Sequence, residues 1–300
     1  MRSGLCSSSP MSIVYLNGSF QPLSEARVSV LDRGFTFGDG VYEVIPVFNG
    51  NIFRLEEHLQ RLENSLSLID IQLDRSREEV SKILHELVQR NGIPGEHLIY
   101  LQVTRGVSER NHHYDDGLKP TFFAMCKAIS TDDLSAGVSV ITADDIRWHR
   151  CNIKAITLLP SVLLKRKARD SGGCHEAILI RDGLVTEGAS SNVFIVKENV
   201  IKTPLKDENV LPGITRDLVV ELLNAAGVPC EERDITEDEL RHADEVWITS
   251  STIGLVPVIN IDGNPVNDGK PGPVWSRTNA LYEQFKGSAS IQAALARAAS

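Results

Sequence analysis

The sequence predicts an α+β protein of two domains, on three observations. Its 300 residues are about twice an average domain, although one large α/β unit would also fit that length. The first half mixes strand-like runs with two helical ones. After it comes a polar stretch, Ser130-Thr-Asp-Asp-Leu-Ser-Ala-Gly137, with no apolar period. The expected organisation is an extension over 1–10, a smaller domain over 11–129, a linker over 130–137 and a larger domain over 138–300.

Each element has a local reason. Ile13–Leu16 followed by Asn17-Gly18 is a hairpin signal. Val41–Phe48 alternates, turns at Asn49-Gly50 and continues to Arg54. Leu59, Leu62, Leu66 and Ile69 recur at helical spacing, and Ser76-Arg-Glu-Glu79 is a capping box for a second helix ending near Asn91-Gly92. His97–Thr104 and Pro120–Cys126 read as strands. Beyond the linker, Val138–Thr142 is a strand and 161–169 a helix. Pro212-Gly213 opens a helix over 215–224, and Thr236-Glu-Asp-Glu239 caps another. Val246–Thr249 is a strand, Asp262-Gly263 a hairpin turn, and one long helix ends the chain.

A hydrophobic share of 42% with 24% charged residues is that of an ordinary globular protein. No apolar run approaches the ~20 residues of a spanning helix, so no membrane association is expected. The formal charge of −9 argues against nucleic acid or an anionic membrane as partner. Five scattered cysteines without a C-x-x-C pair suit reduced thiols in the cytoplasm rather than disulfides or zinc. The first ten residues lack the apolar stretch of a secretory signal and read as a disordered extension, with Met11 a candidate start.

Chemistry centres on Lys154 and Glu187. Lys154 lies among Ile153, Ala155, Ile156, Leu158 and Leu159, and a poorly hydrated lysine is a better nucleophile. Taken alone it reads equally as a snorkelling surface lysine. Glu187 precedes Gly188-Ala-Ser-Ser-Asn192, whose donors suit an anion, though a turn carboxylate would look the same. A lysine for a Schiff base with a carboxylate for a pyridinium nitrogen is what pyridoxal phosphate chemistry requires. Pro212-Gly213 before Ile214 and Thr215 offers a helix N-terminus to an anion, or simply starts a helix. Ser250-Ser251-Thr252 could act similarly or form a turn. Arg61 could fork onto phosphate or sit exposed on its helix. Arg110-Asn-His112 could grip a carboxylate or be a solvated loop; no second ligand cluster supports a metal at His112-His113. His58 reads as structural. Three glycines in Gly34–Gly40 imitate a phosphate loop, but the stretch leads into a strand.

In this order the motifs resemble those of the fold-type IV, class IV pyridoxal-phosphate aminotransferases, and most closely the D-amino acid (D-alanine) enzymes. The resemblance runs through Asp32-Arg-Gly-Phe-Thr-Phe-Gly-Asp-Gly-Val-Tyr-Glu-Val44, Glu57-His-Leu-Gln-Arg-Leu62, Val103-Thr-Arg-Gly106 and Asp145-Ile-Arg-Trp148. It continues through Cys151-Asn-Ile-Lys154, Glu187–Asn192, Gly213-Ile-Thr-Arg216 and Lys270-Pro-Gly-Pro273, covering the chain from Met11 to the final helix. It implies a small N-terminal α/β sandwich domain and a larger C-terminal pseudo-barrel domain. It also implies pyridoxal 5′-phosphate as cofactor and transamination of D-amino acids in two half-reactions, with a 2-oxo acid such as 2-oxoglutarate as acceptor. Lys154 resembles the Schiff-base lysine and Glu187 the partner of the pyridine nitrogen. Arg61, Ser191, Asn192, Ile214, Thr215, Ser251 and Thr252 match cofactor-binding positions. Tyr42, Arg110 and His112 match a trap for the substrate α-carboxylate, whose loop reaches across from the partner in family homodimers. Leu211-Pro212 is closer to the branched-chain pattern, which keeps branched-chain L-amino acid transamination as the alternative, with aminodeoxychorismate lyase more distant.

Overall fold

The computed structural model describes residues 12–129, 132–288 and 290–298. The expected extension over 1–10, the candidate start Met11, and Ser130 and Thr131 of the expected linker lie outside the described residues. The described chain forms two compact units. The segment Ile153–Thr157 belongs with the first, although in sequence it falls within the expected larger domain.

The first unit contains strands β1 (Ile13–Leu16), β2 (Ser19–Pro22), β3 (Gly40–Phe48), β4 (Asn51–Ile52), β5 (His97–Thr104) and β6 (Thr121–Ala128). Its helices are α1 (Arg33–Phe37), α2 (Leu55–Ser67) and α3 (Arg77–Asn91). The strands form one antiparallel sheet in the order β2-β1-β6-β5-β3-β4. Asn17 and Gly18 both adopt positive φ, 49° and 103°, as a two-residue hairpin requires. Alternation along β3 and β5 puts Val41, Ile45, Ile99, Leu101 and Val103 on one face, where they pack with Leu59, Leu62, Leu84 and Leu87 of α2 and α3. Ser76 and Glu79 make the expected capping box of α3. Helix α1 is an addition to the sequence reading. Asp32 caps it, and Gly38 ends it at φ 69°, so Gly34 and Gly38 serve a one-turn helix and its stop, while Gly40 opens β3.

The second unit begins with β7 (Val138–Asp144), α4 (Leu159–Asp170), β8 (Glu176–Arg181), β9 (Leu184–Gly188), β10 (Asn192–Lys197) and β11 (Val200–Thr203). It continues with α5 (Ile214–Ala225), β12 (Cys230–Glu232), α6 (Glu237–Arg241), β13 (Glu245–Ser250), β14 (Gly254–Ile261), β15 (Asn264–Pro265), α7 (Pro273–Ser288) and α8 (Ile291–Ala298). The expected single helix at the end is therefore two. The strands form a mixed sheet in the order β12-β11-β10-β13-β14-β7-β8-β9, with β15 on β14. Ala189–Ser191 alone connect β9 to β10, yet four strands separate the two along that path. The sheet must curl to bring them together, which is the pseudo-barrel the resemblance implied. Its inner residues, among them Val193, Ile195, Val246, Ile248 and Val256, pack on Leu240 of α6. Among the described residues no helix is long and apolar enough to cross a membrane.

Glu245 joins this sheet to α7. Its carboxylate accepts from the N–H groups of Val274 (2.8 Å) and Trp275 (2.7 Å) and from Trp247 Nε1 (3.1 Å), all buried. Replacing it with Ala strands these donors, so Glu245→Ala is expected to cost about 3 kcal/mol in urea unfolding. A loss below about 1 kcal/mol would mean that the cap carries no weight.

Candidate active site

In the first unit the site begins with the backbone of β3. Because β4 pairs only with Val47 and Phe48, the edge of β3 at its other end is open. The segment around Lys154 occupies it. Tyr42 N–H donates to Lys154 O (2.9 Å), Ile156 N–H to Gly40 O (3.1 Å), and Lys154 N–H to Ser65 Oγ (3.3 Å). With its backbone held from both sides, half-buried Lys154 places Nζ 4.4 Å from the centre of the Tyr42 ring. Tyr42 in turn stacks on Tyr100, with ring centres 5.9 Å apart.

The next residue of β3 points to the opposite face. Glu43 is fully buried and receives both Arg61 Nε (2.8 Å) and Arg61 Nη2 (2.7 Å), a bidentate fork. His58 Nδ1 lies 2.7 Å from the same carboxylate. Burial alone would raise the Glu43 pKa, but the Arg61 charge and bonds outweigh it and hold it down to about 2. Burial pushes His58 down, keeping it neutral and donating from Nδ1, with no hydrogen-bond partner for Nε2 among the described residues. Arg61 is thus buried on its helix, where the sequence also allowed an exposed one. Glu43 was not singled out from sequence, although strand alternation puts it on the same face as Val41 and Ile45.

In the second unit Glu187 is buried on β9. Arg147 Nη1 donates to its Oε1, and Asn192 Nδ2 (3.0 Å) and Leu211 N–H (3.1 Å) donate to Oε2. Asn192 Nδ2 also donates to Leu211 O (2.9 Å), so the turn that starts α5 is tied to Glu187. Burial drives the Glu187 pKa up to about 7; Arg147 opposes this, and Asp145 adds to it. The Arg147 guanidinium is shared, since its Nε and Nη2 bond Asp145 at 2.9 and 2.8 Å. Asp145 also accepts from Thr186 Oγ1 (2.9 Å) and pairs with Arg181 (3.1 Å). Asp145 and Arg147 are functional neighbours of Glu187 that only their place in the Asp145–Trp148 motif signalled.

No side chain caps α5 at Gly213, so Ile214 and Thr215 begin the helix with N–H groups that lack an intrahelical acceptor. Ser251 and Thr252 form the turn after β13, with Ser250 and Thr252 hydroxyls 3.1 Å apart. Of the other expected cofactor-binding residues, Ser191 Oγ donates to buried Glu176 (3.0 Å) and Asn192 Nδ2 to Glu187 (3.0 Å). Arg110 and His112 are exposed and gather at Phe37, 5.3 and 5.4 Å from its ring. Among the described residues no hydrogen bond or ring contact joins them to Tyr42 or Lys154 of the same chain.

Residues 40–261 match the family model described as amino-transferase class IV. A D-alanine aminotransferase of Bacillus licheniformis is 48% identical over 90% of this chain and 95% of its own length. One from Staphylococcus aureus (strain MSSA476) is 42% identical over 94% of this chain and 100% of its own. The crystal structure of the branched-chain amino acid aminotransferase of Escherichia coli superposes with a TM-score of 0.86 at 26% identity, covering 92% of this chain and 95% of that one. The chain belongs to the class IV aminotransferases, enzymes that depend on pyridoxal 5′-phosphate.

Glu43 yields a pH prediction. The carboxyl has an ordinary value of 4.5 when unfolded and about 2 when folded. Its stabilisation is therefore complete above pH 4.5 and fades as pH falls toward 2. Urea unfolding should find Glu43→Gln about 3 kcal/mol less stable than the parent at pH 7, with a clearly smaller gap at about pH 3.5. A gap independent of pH contradicts the assignment.

Proposed function

We propose that this enzyme transaminates D-amino acids, D-alanine among them, moving the amino group to a 2-oxo acid such as 2-oxoglutarate. The reading rests first on Lys154, whose amine is presented over the Tyr42 ring by a backbone clamped to β3. The names of the relatives and the Arg110-Asn111-His112 loop support the D-hand.

The residues present fit the cofactor. Within the second unit, uncapped α5 presents the N–H groups of Ile214 and Thr215, and the turn at Ser251 and Thr252 its hydroxyls, all groups that suit a phosphate; within the first unit Glu43 orients the Arg61 guanidinium, a phosphate-binding group of its own. Buried Glu187, with a pKa of about 7, suits a partner for a pyridine nitrogen, because it can share a proton with a weakly basic ring. When bound, pyridoxal phosphate supplies an aldehyde to take the amino group and a ring to take up electrons. Lys154 Nζ anchors the cofactor and moves the proton at the substrate α-carbon. Asn192 and Arg147 orient Glu187. Tyr42, Arg110 and His112 bind the substrate α-carboxylate.

The enzyme works as a homodimer in the cytoplasm. Support for the dimer comes from the exposed apolar residues Val28, Val30, Leu31, Phe35 and Val107, of which Leu31 and Val107 lie at the neck of the Arg110 loop. It comes also from Arg110 and His112, which make no hydrogen bond or ring contact with their own Tyr42 among the described residues. Cys126 and Cys151 are free thiols, as a reducing compartment allows.

Borohydride reduction of the holoenzyme, followed by peptide mass spectrometry, should fix the cofactor on Lys154 and fail to do so in Lys154→Ala. A label on any other lysine would sink the assignment. With 2-oxoglutarate as acceptor, D-alanine should turn over at least about 100-fold faster than L-alanine in kcat/KM; the reverse order would support the branched-chain L-enzyme. Sedimentation at micromolar concentration should give twice the chain mass, and a monomer with full activity would remove the dimer from the reading.

A further inference from the structure

The loop over 107–119 carries Arg110 and His112, and its tip is exposed. Its neck is tightly closed. Gly106 has φ 103°, and a Cβ there would collide with the Lys119 carbonyl oxygen. Arg33 N–H donates to Gly106 O (2.8 Å), Asp32 bridges Val107, and Ser108 N–H reaches Leu31 O (3.3 Å). Closed ends with a projecting tip make an Ω-loop. A closed neck alone does not decide where residues 110–112 stand.

One hydrogen bond does reach the tip. Among the described residues, Arg33 Nη1 to Asn111 O (2.7 Å) is the only hydrogen bond entering residues 109–118 from outside the loop. Arg33 is itself fixed and buried, with Nε on Asp39 Oδ2 at 2.8 Å. Asp39 is gripped as well by Arg105, whose Nε donates to the same Oδ2 (2.8 Å) and whose Nη2 donates to Oδ1 (3.0 Å). Arg105 is held by the carbonyls of Ile69 (2.7 Å) and Asp70 (3.1 Å). The row Arg33–Asp39–Arg105 is therefore anchored to the helical side of the unit. Tyr114 closes the far side of the tip, its ring 3.9 Å from the Arg105 guanidinium and 5.2 Å from that of Arg33.

We propose that Arg33 is a positioning residue for the substrate carboxylate: by holding the carbonyl of Asn111 it sets where Arg110 and His112 stand, and Tyr114 on Arg105 fixes the other side of the tip. This rests on the reading of Arg110 and His112 as carboxylate binders. Arg33 needs a planar fork for the task, because Nε and Nη1 serve Asp39 and Asn111 at once. A lysine keeps the charge beside Asp39 but cannot make both bonds in that geometry.

The test uses the holoenzyme of Arg33→Lys. Four quantities are measured: kcat and KM for D-alanine, the calorimetric Kd of propionate (a carboxylate with no amine to react), the cofactor absorbance and the melting temperature. KM and the propionate Kd should each rise about tenfold, roughly the loss of one charge-assisted hydrogen bond, with kcat within about twofold and cofactor absorbance unchanged. Unchanged KM and propionate Kd in a folded variant overturn the proposal, as does a fall in cofactor content with propionate binding intact. Should Arg33→Lys not fold, Tyr114→Leu at the surface is expected to weaken propionate in the same direction, and its failure to do so overturns the proposal. Arg110→Gln separates the two layers. If it weakens propionate while Arg33→Lys does not, only the positioning role falls; if Arg110→Gln also binds propionate normally, the carboxylate reading falls with it.

Discussion

Because side chains alternate along β3, Tyr42 and Glu43 leave the strand on opposite faces, and the same backbone receives Lys154 at its edge. Much of the first unit's chemistry depends on that pleat. Tyr42 presents its ring to the lysine amine, while Glu43, driven into the core, can stay charged only by recruiting Arg61 and His58 from α2. A slip of one residue in the β3–β5 register would exchange the two faces, exposing Glu43 and burying Tyr42. The large apolar surface that β3 and β5 bury against α2 and α3 opposes such a slip.

Two buried carboxylates, each facing an arginine, are driven in opposite directions. Glu43 receives two nitrogens of Arg61 as a fork, with a histidine beside them, and its pKa falls to about 2. Glu187 receives one nitrogen of Arg147, whose other donors go to Asp145, Thr186 and the Asn209 carbonyl, and burial wins, raising it to about 7. The first is a permanent charge that orients a guanidinium. The second holds its proton more tightly than an ordinary carboxylate. Arg61 commits two nitrogens and His58 adds a third donor at Glu43, whereas at Glu187 the neighbouring Asp145 charge adds to burial.

Much of the fold was legible in the sequence because its signals are local. Asn17-Gly18 turns where both residues can adopt positive φ, and Ser76 and Glu79 cap a helix through their own backbone. The break between α7 and α8 was missed because both segments are helical in pattern, and α1 because one capped turn offers too few residues for a period to show. At the site, Lys154 and Glu187 stood out by neighbours and motif. His58 did not: read as structural, it lies beside Glu43, and only the packing of α2 against β3 makes that contact. The partner of Ser191 was equally hidden. The hydroxyl donates to Glu176, fifteen residues earlier.

By itself, then, the sequence determined which groups are present and which elements carry them, since caps, turns and alternation are properties of a few consecutive residues. Tertiary structure alone decided what those groups are chemically. The charge on Glu43, the raised proton affinity of Glu187, the placement of Lys154 over Tyr42 and the tether from Arg33 to Asn111 rest on contacts between residues far apart in the chain. Burial and pairing at such separations depend on how the sheets close, and no local pattern encodes them.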